Sequence, residues 1–366
     1  CFTNNEGTDY VGTAYTFQAK GYDYQLFTFG LGDNGRLAQN NTTHYSSPVQ
    51  VPGTTWKEIG DGYTSRTGTL AIKSDGTLWV WGSGSGGLTG QNNTTHYSSP
   101  IQIGSGTDWA TTGAGLYHNG AIKTDGTLWM WGYNVKGCLG QNQPDNNKYS
   151  SPVQVPGTTW SKIGAGREGE TLGVKSDGTA WTWGNNESGE LGQNNRTHYS
   201  SPTQIPGTDW NNVIDVGNRA MSIINTAGEL WSWGTNSNGM LGQNNKTQYS
   251  SPVQVPGTTW RSVSNSYNNM TVTTKTDGTL WVWGDNNDGM LGLNSQTDYS
   301  SPKQIPGTDW TAAVVAGEKM GGAIKTNGEC WVWGQNNNGQ LGQNNKTYYS
   351  SPVQIPGTSW NDIGAM

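Results

Sequence analysis

An aromatic-x-aromatic-Gly signature recurs seven times along this chain, at a spacing that settles at about 50 residues. That period confines the fold to like units packed side by side. The signature reads Phe27-Thr28-Phe29-Gly30 in the first unit, then Trp79/Trp81, Trp129/Trp131, Trp181/Trp183, Trp231/Trp233, Trp281/Trp283 and Trp331/Trp333. Two further signals keep the same beat. Tyr-Ser-Ser-Pro starts at Tyr45, Tyr97, Tyr149, Tyr199, Tyr249, Tyr299 and Tyr349. A lone Trp follows a Pro-Gly-Thr-like segment at Trp56, Trp109, Trp160, Trp210, Trp260, Trp310 and Trp360. Paired and lone residues account for all 19 Trp, so every indole belongs to the framework and none is left as a separate ligand platform.

Within a unit the residues read as short strands joined by tight turns. Leu70-Ala71-Ile72-Lys73 alternates, Asp75-Gly76 follows, and Thr77-Leu78-Trp79-Val80-Trp81 alternates again. Asp-Gly recurs at Asp125-Gly126, Asp177-Gly178 and Asp277-Gly278, with Ala227-Gly228 and Asn327-Gly328 as variants. It reads as a two-residue hairpin turn whose central residues both take positive φ. The two rings of W-x-W fall on one face of their strand, where both can wedge between neighbouring units. The ends match in a complementary way: residues 360–366 repeat the opening strand of a unit, while Phe17-Gln18-Ala19-Lys20 and residues 25–30 supply middle strands. The expectation is a single all-β domain over residues 1–366, a seven-bladed β-propeller whose first blade is shared between residues 11–55 and 357–366. In it the C-terminal strand joins the N-terminal blade and closes the ring, pairing strand edges that would otherwise lie open.

Bulk composition alone would mislead. A hydrophobic content of 31% and a mean hydropathy of -0.70 lie toward disorder. Yet 19 Trp, 16 Tyr, 55 Gly and only 13% charged residues fit a turn-rich all-β chain. A net charge of -6 with 20 scattered Lys and Arg gives no basic surface for phosphates, so no nucleic-acid partner is expected. No apolar run is long enough for a transmembrane segment. Cys1, Cys138 and Cys330 make no C-x-x-C pattern or His/Cys cluster, so neither a disulfide framework nor a metal site is expected. A Cys at position 1 makes a processed, lipid-anchored or virion-attached N-terminus an expectation.

The pattern W-x-W-G-x-N-x-x-G-x-L-G, preceded by D-G-T-L, resembles the regulator of chromosome condensation repeat family. Trp183-Gly184-Asn185-Asn186-Glu187-Ser188-Gly189-Glu190-Leu191-Gly192 is a good example, and residues 333–342 are another. The resemblance covers nearly the whole chain and implies seven four-stranded antiparallel blades around a central axis. Members of the family include a nucleotide-exchange factor for a small nuclear GTPase, secreted bacterial inhibitors of β-lactamase, and bacterial and phage proteins. Many of its repeats carry a His a few residues after the Ala-Gly of the first loop, a place approached here only by His118. The regular Q-N-N-x-T-x-Y-S-S-P loops are more similar to the bacterial and phage members.

Functional residues are expected where the units differ, because shared positions are needed to build every blade. The units diverge most between their first two strands. The candidate partner-binding residues there are Tyr63, Arg66, Tyr117, His118, Arg167, Glu168, Arg219, Met221, Tyr267, Asn269, Glu318, Lys319 and Met320. Tyr, Arg and Met are residue types that concentrate at the energetic centres of protein interfaces. Asn40, Asn41, Asn195, Asn245 and Asn345 lie in N-x-T sequons, and they read as turn-capping groups. Asp285-Asn286-Asn287-Asp288-Gly289 resembles the start of a calcium loop without its later bidentate Glu, and reads as structural. Pro144-Asp145 falls in a two-residue insertion. His44, His96 and His198 repeat one loop position, and no nucleophile–base pair, G-x-S-x-G elbow or phosphate loop occurs. No catalytic residue and no cofactor is expected. The sequence reads as a non-catalytic binding or structural propeller that recognises a protein or glycan through one face, on a bacterial surface, secreted, or in a phage particle. The alternative is a regulatory propeller acting on a GTPase; a site in the central channel is the third reading.

Overall fold

Strands within a blade pair with their nearest neighbours in sequence, the second and third through a tight hairpin and the third and fourth through a longer loop; Asp61–Gly62 instead adds in parallel to the strand Trp109–Ala114. The computed structural model describes residues 15–16, 25–30, 32–62, 68–143, 147–317, 319–337, 340–343, 345–358 and 360. One blade runs Trp160–Ala165, Glu170–Lys175, Ala180–Gly184 and Tyr199–Gln204, hydrogen-bonded in that order and antiparallel. Five others repeat it, starting at Trp56, Trp109, Trp210, Trp260 and Trp310. We number these six four-stranded blades in chain order, so that the blade from Trp160 is the third. First strands of successive blades touch and form the inner wall, which leaves the Tyr-Ser-Ser-Pro strands at the rim.

Seven four-stranded blades were expected; the described residues make six. The first unit forms a three-stranded sheet, Tyr15–Thr16, Leu26–Gly30 and Tyr45–Gln50. Its fourth strand would have to come from residues 361–366, which lie outside the described residues, as does Phe17-Gln18-Ala19-Lys20. A second correction concerns the hairpin turn. Only its Gly has positive φ, +80° at Gly178, and Asp177 does not. The Gly178 N–H donates to the Lys175 carbonyl at 3.0 Å and the Lys175 N–H to the Thr179 carbonyl at 2.9 Å. That is a three-residue loop, a type I turn followed by a bulged Gly, instead of a two-residue turn. Asp177 Oδ1 fastens it by accepting the Thr179 N–H (3.0 Å) and Oγ1–H (2.7 Å).

The blades are joined by two repeated bonds. The second ring of each W-x-W is fully buried, and its Nε1–H donates to a carbonyl in the G-x-L loop of the preceding unit at 2.7–2.9 Å, as Trp183 does to Cys138. In the Q-N-N loops and their variants Gln141-Asn142-Gln143 and Leu293-Asn294-Ser295, Asn40, Asn92, Asn142, Asn194, Asn244 and Asn294 adopt φ of 52–58°. Their N–H groups donate to a Ser carbonyl of the next unit's rim strand at 2.6–2.8 Å. Asn tolerates the left-handed region better than other non-Gly residues, which is why it recurs there.

The first ring of W-x-W has a different task. It meets the lone Trp edge-to-face, 6.5 Å between centroids for Trp160 and Trp181. Lys73, Lys123, Lys175, Lys275 and Lys325 each place Nζ 4.2–5.5 Å from both rings of their own blade. Those clusters mark the turn face, with the Asp-Gly hairpins and Pro-Gly-Thr segments. The opposite loop face carries the divergent loops and the Q-N-N loops, tied together by bonds such as Asn185 N–H to the Gly169 carbonyl (2.8 Å). Among the described residues no helix is long and apolar enough to cross a membrane.

Candidate functional site

The loop face gathers charge where the third, fourth and fifth blades meet. Arg167 leaves the first strand of the third blade and lays its guanidinium over the Tyr267 ring of the fifth blade, 3.8 Å from the centroid. Arg167 Nη1 lies 3.2 Å from Glu168 Oε1. Arg219, from the fourth blade, reaches Glu168 Oε2 at 3.8 Å and Glu187 Oε2 at 3.1 Å. Four of the candidate residues, Arg167, Glu168, Arg219 and Tyr267, thus form one half-exposed patch from three blades. Aromatic stacking keeps the Arg167 head flat and oriented, so less side-chain freedom remains to be lost when a partner docks.

Beneath this patch lies a group that the sequence reading left out. Glu170 is fully buried at the start of the second strand. Its Oε2 accepts the Glu168 N–H at 2.9 Å and its Oε1 accepts the Arg219 N–H at 3.0 Å. One carboxyl therefore fastens loops of two blades. Glu190, also buried, accepts the Ser188 N–H on Oε2 at 2.6 Å, while its Oε1 has no partner. Burial, reinforced by the neighbouring Glu190, pushes the Glu170 carboxyl up to about 8; burial raises Glu190 too. The sequence signal was partial: Glu190 stands where sister units have Leu88, Cys138, Met240 and Met290, but also Arg36 and Gln340.

The other candidates separate. His118 is buried, with Nε2 2.8 Å from Thr171 Oγ1 and Nδ1 unpartnered, and burial pulls its pKa down to about 3. Met221 and Met320 are buried as well, so these three face the core and not a partner. Tyr117 packs edge-to-face on Tyr133, 6.2 Å between centroids. Lys319 donates to Asp288 at 2.8 Å, and Asn269 takes φ of 62° and donates its Nδ2–H to Asn238 at 3.4 Å. Tyr63, Arg66 and Glu318 lie outside the described residues, as does Pro144-Asp145.

The repeated loops are fastened internally. Asn195 Nδ2 donates to the Gln193 carbonyl (3.0 Å) and Tyr199 Oη (3.1 Å), and Oδ1 accepts the Thr197 N–H at 2.8 Å. Nδ1 of His44, His96 and His198 each accepts a backbone N–H at 2.9–3.0 Å. Asp285 Oδ1 accepts the Asn287 N–H at 2.9 Å. No group of three or more His, Cys, Asp or Glu that could hold a metal occurs among the described residues. Cys138 and Cys330 are buried, and burial raises both thiol pKa values.

The Regulator of chromosome condensation (RCC1) repeat matches the chain over residues 125–169, 177–217, 227–267, 277–324 and 327–363, more than half its length. Among solved structures, Prp20p from Saccharomyces cerevisiae, described with its binding properties to Gsp1p and histones, is 18% identical. It superposes with a TM-score of 0.78 over 96% of this chain and 88% of that one. Human WBSCR16 is 17% identical, with a TM-score of 0.77 over 98% and 97% of the two chains. Yeast RCC1 (Prp20) bound to Kap60 gives 18%, 0.75, 98% and 90%. At these identities the likeness speaks for the fold.

Proposed function

We propose that this chain, which belongs to the regulator of chromosome condensation repeat family, is a protein-recognition propeller that takes its partner across Arg167, Glu168, Arg219 and Tyr267. The observation that carries the reading is the meeting of those four side chains from three blades. Arg and Tyr on a well-supported surface are what protein interfaces use as anchors. Support for a protein partner over a glycan comes from the fold neighbours, since Prp20p is described as binding Gsp1p and histones and yeast RCC1 was solved with Kap60. The same likeness favours the regulatory form of the reading, action on a GTPase, over a surface or virion role.

The test uses the purified chain and its Arg167→Ala and Arg219→Ala variants. Each is mixed with a panel of small GTPases loaded with a fluorescent guanine nucleotide, and partners are identified in parallel by affinity capture. Accelerated nucleotide release that both variants lose supports the regulatory form. Capture of one partner that both variants weaken about tenfold or more, without nucleotide release, supports recognition alone. A partner held equally by the native chain and by folded variants would overturn the site.

The ring, in our reading, closes with a seventh blade. Trp360 supports this: its N–H donates to the Gly328 carbonyl at 3.1 Å, as Trp310 does to Gly278 at 3.0 Å where the sixth blade begins.

A further inference from the structure

The turn face holds a site that one blade leaves incomplete. In the sixth blade, Lys325 Nζ stands 5.2 Å from the Trp310 ring and 5.3 Å from the Trp331 ring, and 3.2 Å from Asp309 Oδ2. Glu329 adds a second carboxylate, accepting the Trp331 Nε1–H at 3.3 Å. The second blade repeats the ion pair, with Lys123 3.1 Å from Asp108. An ammonium there is held by two π faces and a carboxylate that accepts its N–H.

The fourth blade keeps every one of these groups except the cation. Trp210 and Trp231 meet edge-to-face at 6.1 Å and 90°, where the sister pairs meet at 6.1–6.5 Å and 73–82°. Asp209 is fixed in the same backbone position, its carbonyl accepting the Thr226 N–H at 2.8 Å as Asp108 accepts Thr124 and Asp309 accepts Thr326. Glu229 matches Glu329. In place of the Lys stands Asn225, folded back on its own turn, where Oδ1 accepts the Ala227 and Glu229 N–H groups and Nδ2 donates to Glu229 at 2.8 Å. Among the described residues no Lys or Arg lies over these rings or pairs with the exposed Asp209 carboxylate, and the Trp231 Nε1–H has no acceptor.

We propose that Trp210, Trp231, Asp209 and Glu229 form a binding site for an external primary alkylammonium group, carried by a lysine of a protein or by a free amine. The attraction is cation–π together with two carboxylates bearing no cation of their own. A primary ammonium fits better than a quaternary one, because the carboxylate in the sister blades takes an N–H at hydrogen-bond distance and a quaternary group has none to give. This site lies on the face opposite the loop patch and does not depend on the function proposed for it.

The experiment follows the indole N–H resonances of the 15N-labelled chain during titration with n-butylammonium chloride, against sodium chloride and tetramethylammonium chloride at equal ionic strength. A lysine tripeptide with blocked ends forms a parallel arm that separates peptide-borne from free amine. A saturable shift confined to Trp210 and Trp231, with a dissociation constant on the order of millimolar and weaker for tetramethylammonium, is expected. Asn225→Lys should abolish it by supplying the cation from within, and Asp209→Asn should weaken it about tenfold. The variant Asn225→Lys/Ala227→Asp/Glu229→Thr rebuilds a sister turn and guards against a folding failure of the single change. No saturable shift in either arm, shifts equal to those of sodium chloride, or undiminished binding by the folded triple variant would each overturn the site.

Discussion

Glu170 begins its strand at a position that the second, fourth, fifth and sixth blades give to His118, Ala220, Met270 and Met320. The two polar occupants, His118 and Glu170, both resist charging, since burial opposes whichever form is ionised. Their effects on stability run in opposite directions. The unfolded Glu170 carboxyl titrates near 4.5 and the folded one near 8. As pH rises between those values, the unfolded chain releases a proton that the fold retains, so stability declines and the full cost is present above pH 8. For His118 the unfolded imidazole takes a proton near 6.5 and the folded one only near 3, so stability declines as pH falls through that window. Glu170→Gln should therefore flatten the alkaline side alone. We expect the native chain to lose about 2 kcal/mol of unfolding free energy between pH 6.5 and pH 8.5, above the His118 window, and the variant to lose much less of it. Denaturant titrations at the two pH values read this; an unchanged difference between them would mean that Glu170 is already ionised in the fold. Both residues stand next to divergent loops in the sequence, but the sequence does not show which side chains are inward, because one strand boundary separates a loop residue from a buried one.

At the scale of strands and loops, the join between blades is the unit of stability. Trp183 contributes an indole with no exposed surface and one hydrogen bond to Cys138 at 2.8 Å. Gly189, in the loop beside it, has φ of +82°, and a Cβ there would meet the Ser250 Cβ at 2.6 Å and Cα at 2.7 Å. Trp183→Phe removes the bond but keeps most of the packing, so it should cost about 1–3 kcal/mol. Gly189→Ala should cost at least as much, because it adds backbone strain and drives the loop away from the next rim strand. Chemical denaturation of both variants checks the order: a Gly189→Ala protein as stable as the native chain would mean that the close approach is slack. These joins were partly legible. W-x-W spacing placed both rings on one face, but only burial divides them, the second ring bonding across blades and the first facing Lys on the turn face. Asp-Gly was read correctly as a hairpin but with the wrong loop length, since Asp177 needs no positive φ when its carboxylate holds Thr179 from ordinary turn geometry.

Over the whole molecule, blades pack chiefly on their neighbours, with Arg167 over Tyr267 as a contact that skips one, so stability approximates a sum over joins unless the ends are themselves joined. Repeat counting made the units plain, because every one carries the same aromatic beat. It could not show the loop patch, which arises only when the curvature of the ring brings Arg167 over Tyr267 across the fourth blade's loop. Nor could it show whether the ends meet. Six joins carry the indole bond, from Trp81 to the Arg36 carbonyl through Trp333 to the Met290 carbonyl. Phe29 stands at the corresponding place in the first unit, and a phenyl ring has no N–H to donate. If the ring closes as proposed, that join lacks the indole bond and depends on strand pairing by the segment beyond Trp360. Removing residues 358–366 tests this, because in a closed ring the loss of a C-terminal strand acts on the N-terminal sheet. We expect the truncated chain to melt several degrees lower, a larger loss than Trp183→Phe produces. Amide exchange in Leu26–Gly30 and Tyr45–Gln50 should accelerate ahead of the third and fourth blades. If those two strands stay as protected as in the full chain, the ends do not share a blade, and the array unfolds from its ends as an open stack would.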